Sequence, residues 1–433
     1  MTSKLEFAAV VDIGSTKITA LAGEKTENGR IRILGQAMVP SRGIKRGIVM
    51  NPDEFSFALK ELLNKLEIQT GERIGTVNVS MAGMGIHSVI FEGTRYIESG
   101  IVTQGDLDYL EREASHMPLE PGHRIYHMFS RNYEIGDDPD VRVPVGHEGR
   151  KLTARYTIVA APASYQESLE KALSRIGVRL GIFTLSPLAI AEAVTNSEER
   201  DLGVVVMDIG GGTTKMTSFL NGKLIHMAVI PFGGEVITRD IKEAYSILLK
   251  KAEQLKVEFG QAIGDFAEEE KFVSIPAAEG WEKKEISFRS LAYIIQARME
   301  EIIDSMVYHI EKSGFLDQSA QGIVLTGGSS KMVNMLQLVK FRTGMDARLG
   351  FSQVRLTESP DLDKTLYLGA LGMLKIALRN GGHALESRQP ERQQDTERNT
   401  KPGNRFFSSL KKRISQQIEI IFEEDETDSN PKF

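Results

Sequence analysis

The chain has 433 residues, 41 % hydrophobic and 26 % charged, values of a globular protein long enough for two domains. A formal net charge of −6 argues against a general nucleic-acid binder, and the absence of cysteine excludes a disulfide framework and thiolate chemistry. No run of about 18 apolar residues occurs, so no transmembrane helix is expected, and "MTSKLEFAAVVDIG" enters a strand pattern without a signal-peptide stretch.

In chain order, the first strong pattern is "AAVVDIGSTKITAL" at 8–21, an apolar β-branched run, Asp-Ile-Gly, small hydroxyl residues, a lysine and a second run. Asn28-Gly29 predicts a hairpin, and Asn51-Pro52 opens a helix with Phe55, Leu59, Leu62, Leu63 and Leu66 on one stripe. Residues 84–162 read as an inserted subdomain. "IHSVIFEGTRYIESG" and "KLTARYTIVAAP" alternate like strands, and "TQGDLDYLEREASHM" reads as a short capped helix. The eight histidines fall singly, so no metal site is indicated and His127 reads as structural. A connecting helix is expected at 186–195. Then the opening pattern returns: "GVVVMDIGGGTTKMTSF" at 203–219 and Asn221-Gly222 in a second hairpin. A second amphipathic stripe follows, through Ile237, Ile241, Tyr245, Leu248 and Leu255. "KKAEQLKVEFG" at 250–260 sets Glu253 and Lys256 on one helix face, and "GIVLTGGSSKM" at 322–332 is a strand ending in a glycine turn. "LYLGALGMLK" at 366–375 is a helix in which Gly369, Ala370 and Gly372 allow close packing. Two related α/β halves are expected.

Two Asp-Ile-Gly loops at half-chain spacing carry a chemical meaning. Glycines let backbone N–H groups approach phosphate, hydroxyls add neutral donors, and Lys17 and Lys215 add charge. An aspartate at each strand end, Asp12 and Asp208, suits Mg2+ held through water. Neither loop is a Walker A loop. The pattern points to a polyphosphate gripped from both sides.

The tail reads separately. Residues 383–403 are polar with scattered Pro and Gly and predict a disordered linker. Residues 404–423 predict an amphipathic helix with Phe406, Phe407, Leu410, Ile414, Ile418, Ile421 and Phe422 on one stripe and Lys411, Lys412 and Arg413 among its basic residues. Such a helix suits the interface of an anionic membrane rather than a span, with packing on the globular body or docking in a partner's groove as the alternatives. Residues 424–433 form an acidic end.

These loops, "PFGG" at 231–234, the Glu253/Lys256 helix and the Gly-Gly-Ser turn resemble the ATP-binding set of the actin, heat-shock chaperone and sugar-kinase superfamily. Within it, "GHRIYHMFSRNYEIGDDPDVRVPVGHEGRKLTARYTIVAAP" at 122–162 is similar to the inserted subdomain of the FtsA family of bacterial cell-division proteins. The resemblance implies a two-lobed α/β fold with duplicated halves. The first lobe would take 1–83 and 163–195 with 366–382 returning to it, and the second 196–365, with a smaller subdomain near 236–310. It implies ATP and Mg as cofactors. Asp12 and Asp208 would orient the hydrated metal. Gly14, Ser15, Thr16 and Lys17 would meet the phosphates on one side and Gly210, Gly211, Gly212, Thr213 and Thr214 on the other. Gly233, Glu253 and Lys256 would approach the ribose, and Gly327, Gly328 and Ser329 would flank the adenine.

The family also implies a self-assembling adaptor on the cytoplasmic face of the inner membrane at the division site. It would bind the carboxyl-terminal peptide of FtsZ through the smaller subdomain, and recruit other division proteins. Two departures from the family pattern stand out: Lys215 where an acidic residue is common, and no water-positioning glutamine in 186–195. At most slow ATP hydrolysis is therefore expected. A small-molecule kinase, a chaperone-like ATPase and the sister adaptor of pilus assembly are the competing readings. The kinase has no use for the basic amphipathic tail, the chaperone needs a substrate domain after the nucleotide core, and such a tail is not expected in the pilus adaptor.

Overall fold

The computed structural model describes residues 6–275, 283–314, 322–357 and 362–381. Trp281, the linker 383–403, the amphipathic segment with Phe406 to Phe422, and the acidic end lie outside the described residues. No helix among the described residues is long and apolar enough to cross a membrane.

The first half opens with three antiparallel strands, β1 (Phe7–Ile13), β2 (Lys17–Lys25) and β3 (Ile31–Pro40), then a small hairpin, β4 (Ile44–Lys45) and β5 (Ile48–Val49). Helix α1 (Pro52–Thr70) starts where expected: the Asn51 side chain accepts from the N–H groups of Asp53 and Glu54, and proline fills the first turn. Its stripe of Phe55, Leu59, Leu62, Leu63 and Leu66 is buried. Strand β6 (Thr76–Met81) follows.

The inserted subdomain comes next: β7 (His87–Tyr96), α2 (Gln104–Ser115), β8 (His123–Ile135), β9 (Asp138–Val141) and β10 (Lys151–Pro162). A capping box between Thr103 and Asp106 starts α2. Helix α3 (Ser164–Arg175), strand β11 (Arg179–Leu185) and helix α4 (Ser186–Val194) complete the half.

After a short α5 (Ser197–Leu202) the plan repeats with β12 (Val204–Ile209), β13 (Thr214–Leu220) and β14 (Lys223–Ile230). Asn221 and Gly222 both have positive φ, 51° and 74°, the type I′ turn that an Asn-Gly pair favours. Helices α6 (Gly234–Tyr245) and α7 (Leu249–Phe259), the hairpin strands β15 (Phe272–Ile275) and β16 (Lys284–Ser287), and the long α8 (Phe288–Lys312) follow. The half closes with β17 (Gly322–Thr326), α9 (Met335–Thr343), β18 (Ala347–Leu349) and α10 (Leu368–Arg379). The single stripe expected from Ile237 to Leu255 is two helices. Ser246 takes the left-handed conformation at the end of α6, and Leu248 is exposed between them.

The duplication is literal in the sheets. One runs β3-β2-β1-β6-β11 and the other β14-β13-β12-β17-β18, with antiparallel pairs on one side of the central strand and parallel pairs on the other in both. Helices α4 and α10 close the two halves and pack on each other. A Cβ on Gly372 would stand 1.7 Å from the Ala189 carbonyl oxygen, so only glycine permits that crossing. A central core joins residues of both halves, including Val10, Leu21, Ala189, Val206, Phe219 and Leu371, with separate cores beside α1 and α8. The inserted subdomain holds its own core around Leu110, Leu152 and Ile158. Although it interrupts the first half in sequence, its sheet continues that of the second through the pair Ala228–His87.

Candidate functional site

The two Asp-Ile-Gly loops fold alike. Gly14 N–H donates to the Lys17 carbonyl at 3.1 Å, and Gly210 N–H to the Thr213 carbonyl at 3.0 Å. A Cβ would lie 2.8 Å from that oxygen at Gly14 and 2.9 Å at Gly210, so each turn closes only on glycine. The strand registers pair Asp12 with Thr19 and Asp208 with Lys215. Lys17 therefore corresponds to Thr213, and Lys215 to Thr19. The two loops are equally long, so the two lysines that look matched in sequence are not equivalent: Lys17 lies at the end of its turn and Lys215 two residues further along the strand.

The loops meet face to face. A Cβ on Gly211 would come 2.2 Å from Thr16 Cγ2, and one on Gly212 2.8 Å from Ser15 Oγ. Asp12 accepts from the Ser80 hydroxyl at 2.7 Å, a partner at the end of β6 that sequence reasoning did not single out. Its carboxylate lies on α10, where a Cβ on Gly369 would be 2.2 Å from Asp12 Oδ2. Asp208 sits against Gly327, whose φ of 89° requires glycine. Both aspartates thus stand at strand ends against a glycine, Asp12 against Gly369 in α10 and Asp208 against the turn at Gly327.

Charge is unevenly shared between them. Lys215 Nζ lies 2.6 Å from Asp208 Oδ2, with side chains only 12 % and 9 % exposed. Burial would lower the Lys215 ammonium, but Asp208 and Asp12 outweigh it and hold it above the ordinary lysine value. Burial raises the Asp12 carboxyl, opposed by Lys215 and Ser80. Lys17, nearer the surface, is lowered by burial, with Asp12 acting the other way. A hydrated divalent ion shared by Asp12 and Asp208 does not fit this arrangement well: one carboxylate already holds an ammonium.

The remaining expected residues gather at the start of α6. Gly233 leaves room for the carbonyls of Gly210 and Gly211, which accept from Gly234 and Glu235 N–H groups at 2.9 Å each. The first turn of that helix is thereby tied to the second loop. Lys256 Nζ donates to the Gly234 carbonyl, the Thr238 hydroxyl and Glu253, at 2.8, 2.7 and 2.7 Å. The Lys256 side chain is 10 % exposed and that of Glu253 49 %, and with its bonds to Gly234 and Thr238 Lys256 clamps α7 to α6. Thr238 was not foreseen; its place one turn after Gly234 was the available signal. Thr213 is buried, and the Thr214 hydroxyl donates to the Phe232 carbonyl at 2.8 Å, so Thr214 ties the loop to the turn before α6. Ser329 is buried and within reach of Gly234, while Gly328 is exposed with open space where a Cβ would stand. Lys331, bonded to Thr365, adds a cation near Lys17.

His127 is structural in this arrangement. It accepts from the Leu185 N–H at 3.3 Å, and burial lowers its pKa to about 4.

Residues 205–372 match the family model described as cell division protein FtsA, and residues 83–160 match the SHS2 domain inserted in FtsA. A cell division protein FtsA of Neisseria meningitidis is 31 % identical over 419 residues, 96 % of this chain and all of that protein. Among solved structures, a PilM–PilN type IV pilus biogenesis complex aligns with TM-score 0.60 at 15 % identity, over 85 % of this chain and 98 % of the other. MreB5 of Spiroplasma citri bound to ADP aligns with TM-score 0.52 at 12 % identity, over 87 % and 97 %. The last two share the actin-like fold, and the sequence matches go further: the chain belongs to the FtsA family of cell division proteins.

Proposed function

We propose that this chain is an ATP-binding, self-assembling adaptor that ties FtsZ filaments to the cytoplasmic face of the inner membrane and recruits later division proteins. The observation that carries the nucleotide part is the approach of the two glycine loops, with Ser15 and Thr16 of one against Gly212 and Gly211 of the other. The phosphates of ATP lie along the seam where the two loops meet in this reading. Gly233, Glu253 and Lys256 approach the ribose, and Gly327, Gly328 and Ser329 flank the adenine. A structure of the same fold, MreB5, holds ADP. Hydrolysis is slow at most. Helix α4 contains no glutamine, and Arg200 and Lys375 occupy its one carboxylate, Glu192.

The membrane part rests on the sequence of 404–423. Seven large apolar side chains contribute at most ~2 kcal/mol each, and basic residues near anionic lipid ~1 kcal/mol each. Ordering about 20 residues opposes this with a comparable sum, at ~1 kcal/mol or more per residue. A single helix binds weakly, and assembled copies bind firmly because each further anchor acts at high effective concentration.

Flotation with anionic vesicles and ATP tests the reading, comparing the full chain with one ending at Gly403. The full chain should float, retain added FtsZ and lose both properties on truncation. Flotation of neither protein at assembling concentrations would remove the membrane part.

A further inference from the structure

The register of β12 and β13 places an ammonium where the expected site has a divalent ion. Lys215 is the ladder partner of Asp208, so its backbone cannot move without breaking the sheet that carries the loop. Its Nζ bonds Asp208 Oδ2 at 2.6 Å and lies 4.0 Å from where a Cβ would stand on Gly210, directly beneath the second glycine loop. The corresponding position of the first loop is Thr19, which is uncharged and buried. The cation is therefore a feature of one half only, at the centre of a cleft lined by two aspartates.

We propose that Lys215 supplies the charge compensation otherwise expected from Mg2+, so that this chain binds ATP with little dependence on a divalent ion. The inference rests on the nucleotide reading above and deepens it. An ammonium tethered at this distance is present at the local concentration of a built-in ligand, and Mg2+ would have to displace it from Asp208 or bind beside it. Like charges at short range in a nearly buried site oppose the second arrangement. Breaking the ion pair to free Asp208 opposes the first, since each partner would lose its compensation where water is scarce. With Lys215 in place, two carboxylates and one ammonium leave the cleft less negative. The phosphates then meet a fixed cation from the second loop and Lys17 from the first. Lys215 is in this sense a specificity-determining residue for the cofactor form, accepting free ATP as well as its magnesium complex.

The test is equilibrium binding of ATP to the full chain, with Mg2+ and again with EDTA. Thermodynamic coupling between two ligands is commonly about 5- to 150-fold, so a ratio of dissociation constants below about threefold marks independence. The wild-type chain should show that small ratio. Lys215→Met should raise it above about tenfold, and Lys215→Arg, which keeps the charge, should stay close to wild type. A wild-type ratio of about tenfold or more overturns the inference whether or not any variant folds. A folded Lys215→Met that keeps the small ratio overturns it also, because the independence would then have another cause. Lack of binding with and without Mg2+ would instead refute the nucleotide reading, and the inference with it.

Discussion

A Cβ on Gly233 would stand 2.5 Å from the carbonyl oxygens of both Gly210 and Gly211, and these are backbone atoms that cannot rotate away. Gly233→Ala should therefore push the first turn of α6 off the second loop, costing about 1–3 kcal/mol of stability as an overpacked site does. ATP affinity should fall at least about tenfold, about 1.4 kcal/mol, in an equilibrium binding assay. Gly328→Ala is the informative partner. Nothing stands within 4 Å of its Cβ position, so stability should change by less than about 0.5 kcal/mol. If adenine lies there, affinity should still drop; unchanged affinity would remove Gly328 from the site.

A second residue-scale prediction concerns His226. It is buried, its Nδ1 lies 2.8 Å from Ser88 Oγ, and it stacks on His309 at 5.5 Å. Burial, with His309, Lys312 and Arg131 nearby, lowers its pKa to about 4 from 6.5. The unfolded chain thus binds a proton that the folded chain refuses. Stability is full above about pH 6.5 and declines as the pH falls toward 4, by about 2 kcal/mol at pH 5 from this residue alone. Urea unfolding at pH 7 and pH 5 should show the loss, and His226→Gln should reduce it; an unchanged pH dependence would refute the assignment.

At the scale of elements, α4 and α10 cross in close contact. Gly372→Ala would drive a methyl into the Ala189 carbonyl, so the helices must separate, at a cost of about 3 kcal/mol or more. Glu192 of α4 is 7 % exposed and pairs with Arg200 and Lys375, at 2.8 and 3.1 Å, and with Arg379. Removing the carboxylate by Glu192→Gln leaves three cations around a neutral amide, and a loss of about 3 kcal/mol is expected, as for one partner of a buried pair. Thermal melts of both variants check these values.

Much at this scale was legible in the sequence. The repeat of Asp-Ile-Gly at half-chain spacing, the Asn-Gly turns and the capped stripe of α1 are local signals, and each marks an element that is present. Other features depend on contacts that no local pattern encodes. The stripe from Ile237 to Leu255 continues with helical spacing through Ser246, but tertiary packing turns the chain there and leaves Leu248 outside. Matching lysines suggested equivalence until strand register separated Lys17 from Lys215. Ser80 and Thr238 carry no motif; they are recognised by their distance to Asp12 and Lys256.

For the whole molecule, the decisive property is that the two halves share a central core, which Val159 and Ala161 of the inserted subdomain also join, while the rest of that subdomain keeps its own. ATP bound between the glycine loops would touch both halves. At a hundred times its dissociation constant it should stabilise the native state by about 2.7 kcal/mol, raising the melting temperature by roughly 5 °C or less for a chain of this size. Because the central core is common, the rise should appear in one transition covering both halves; a ligand held by one lobe alone would split the melt. The inserted subdomain should behave differently. Its strands continue the second half's sheet through Ala228–His87, reinforced by Ser88 with His226 and by Lys223 Nζ on the Arg131 carbonyl at 2.9 Å. Val159 and Ala161 of β10 also join the central core and His127 of β8 bonds Leu185, so it is the rest of the subdomain, around Leu110 and Leu152, that can open without the halves opening. Hydrogen exchange with and without ATP separates the cases. Amides of β1, β2, β12, β13 and the start of α6 should gain protection, and those of α2 and β9 should exchange at unchanged rates. Equal protection throughout would mean that the seam couples the subdomain to the cleft. The subdomain would then report the nucleotide state to whatever partner it meets.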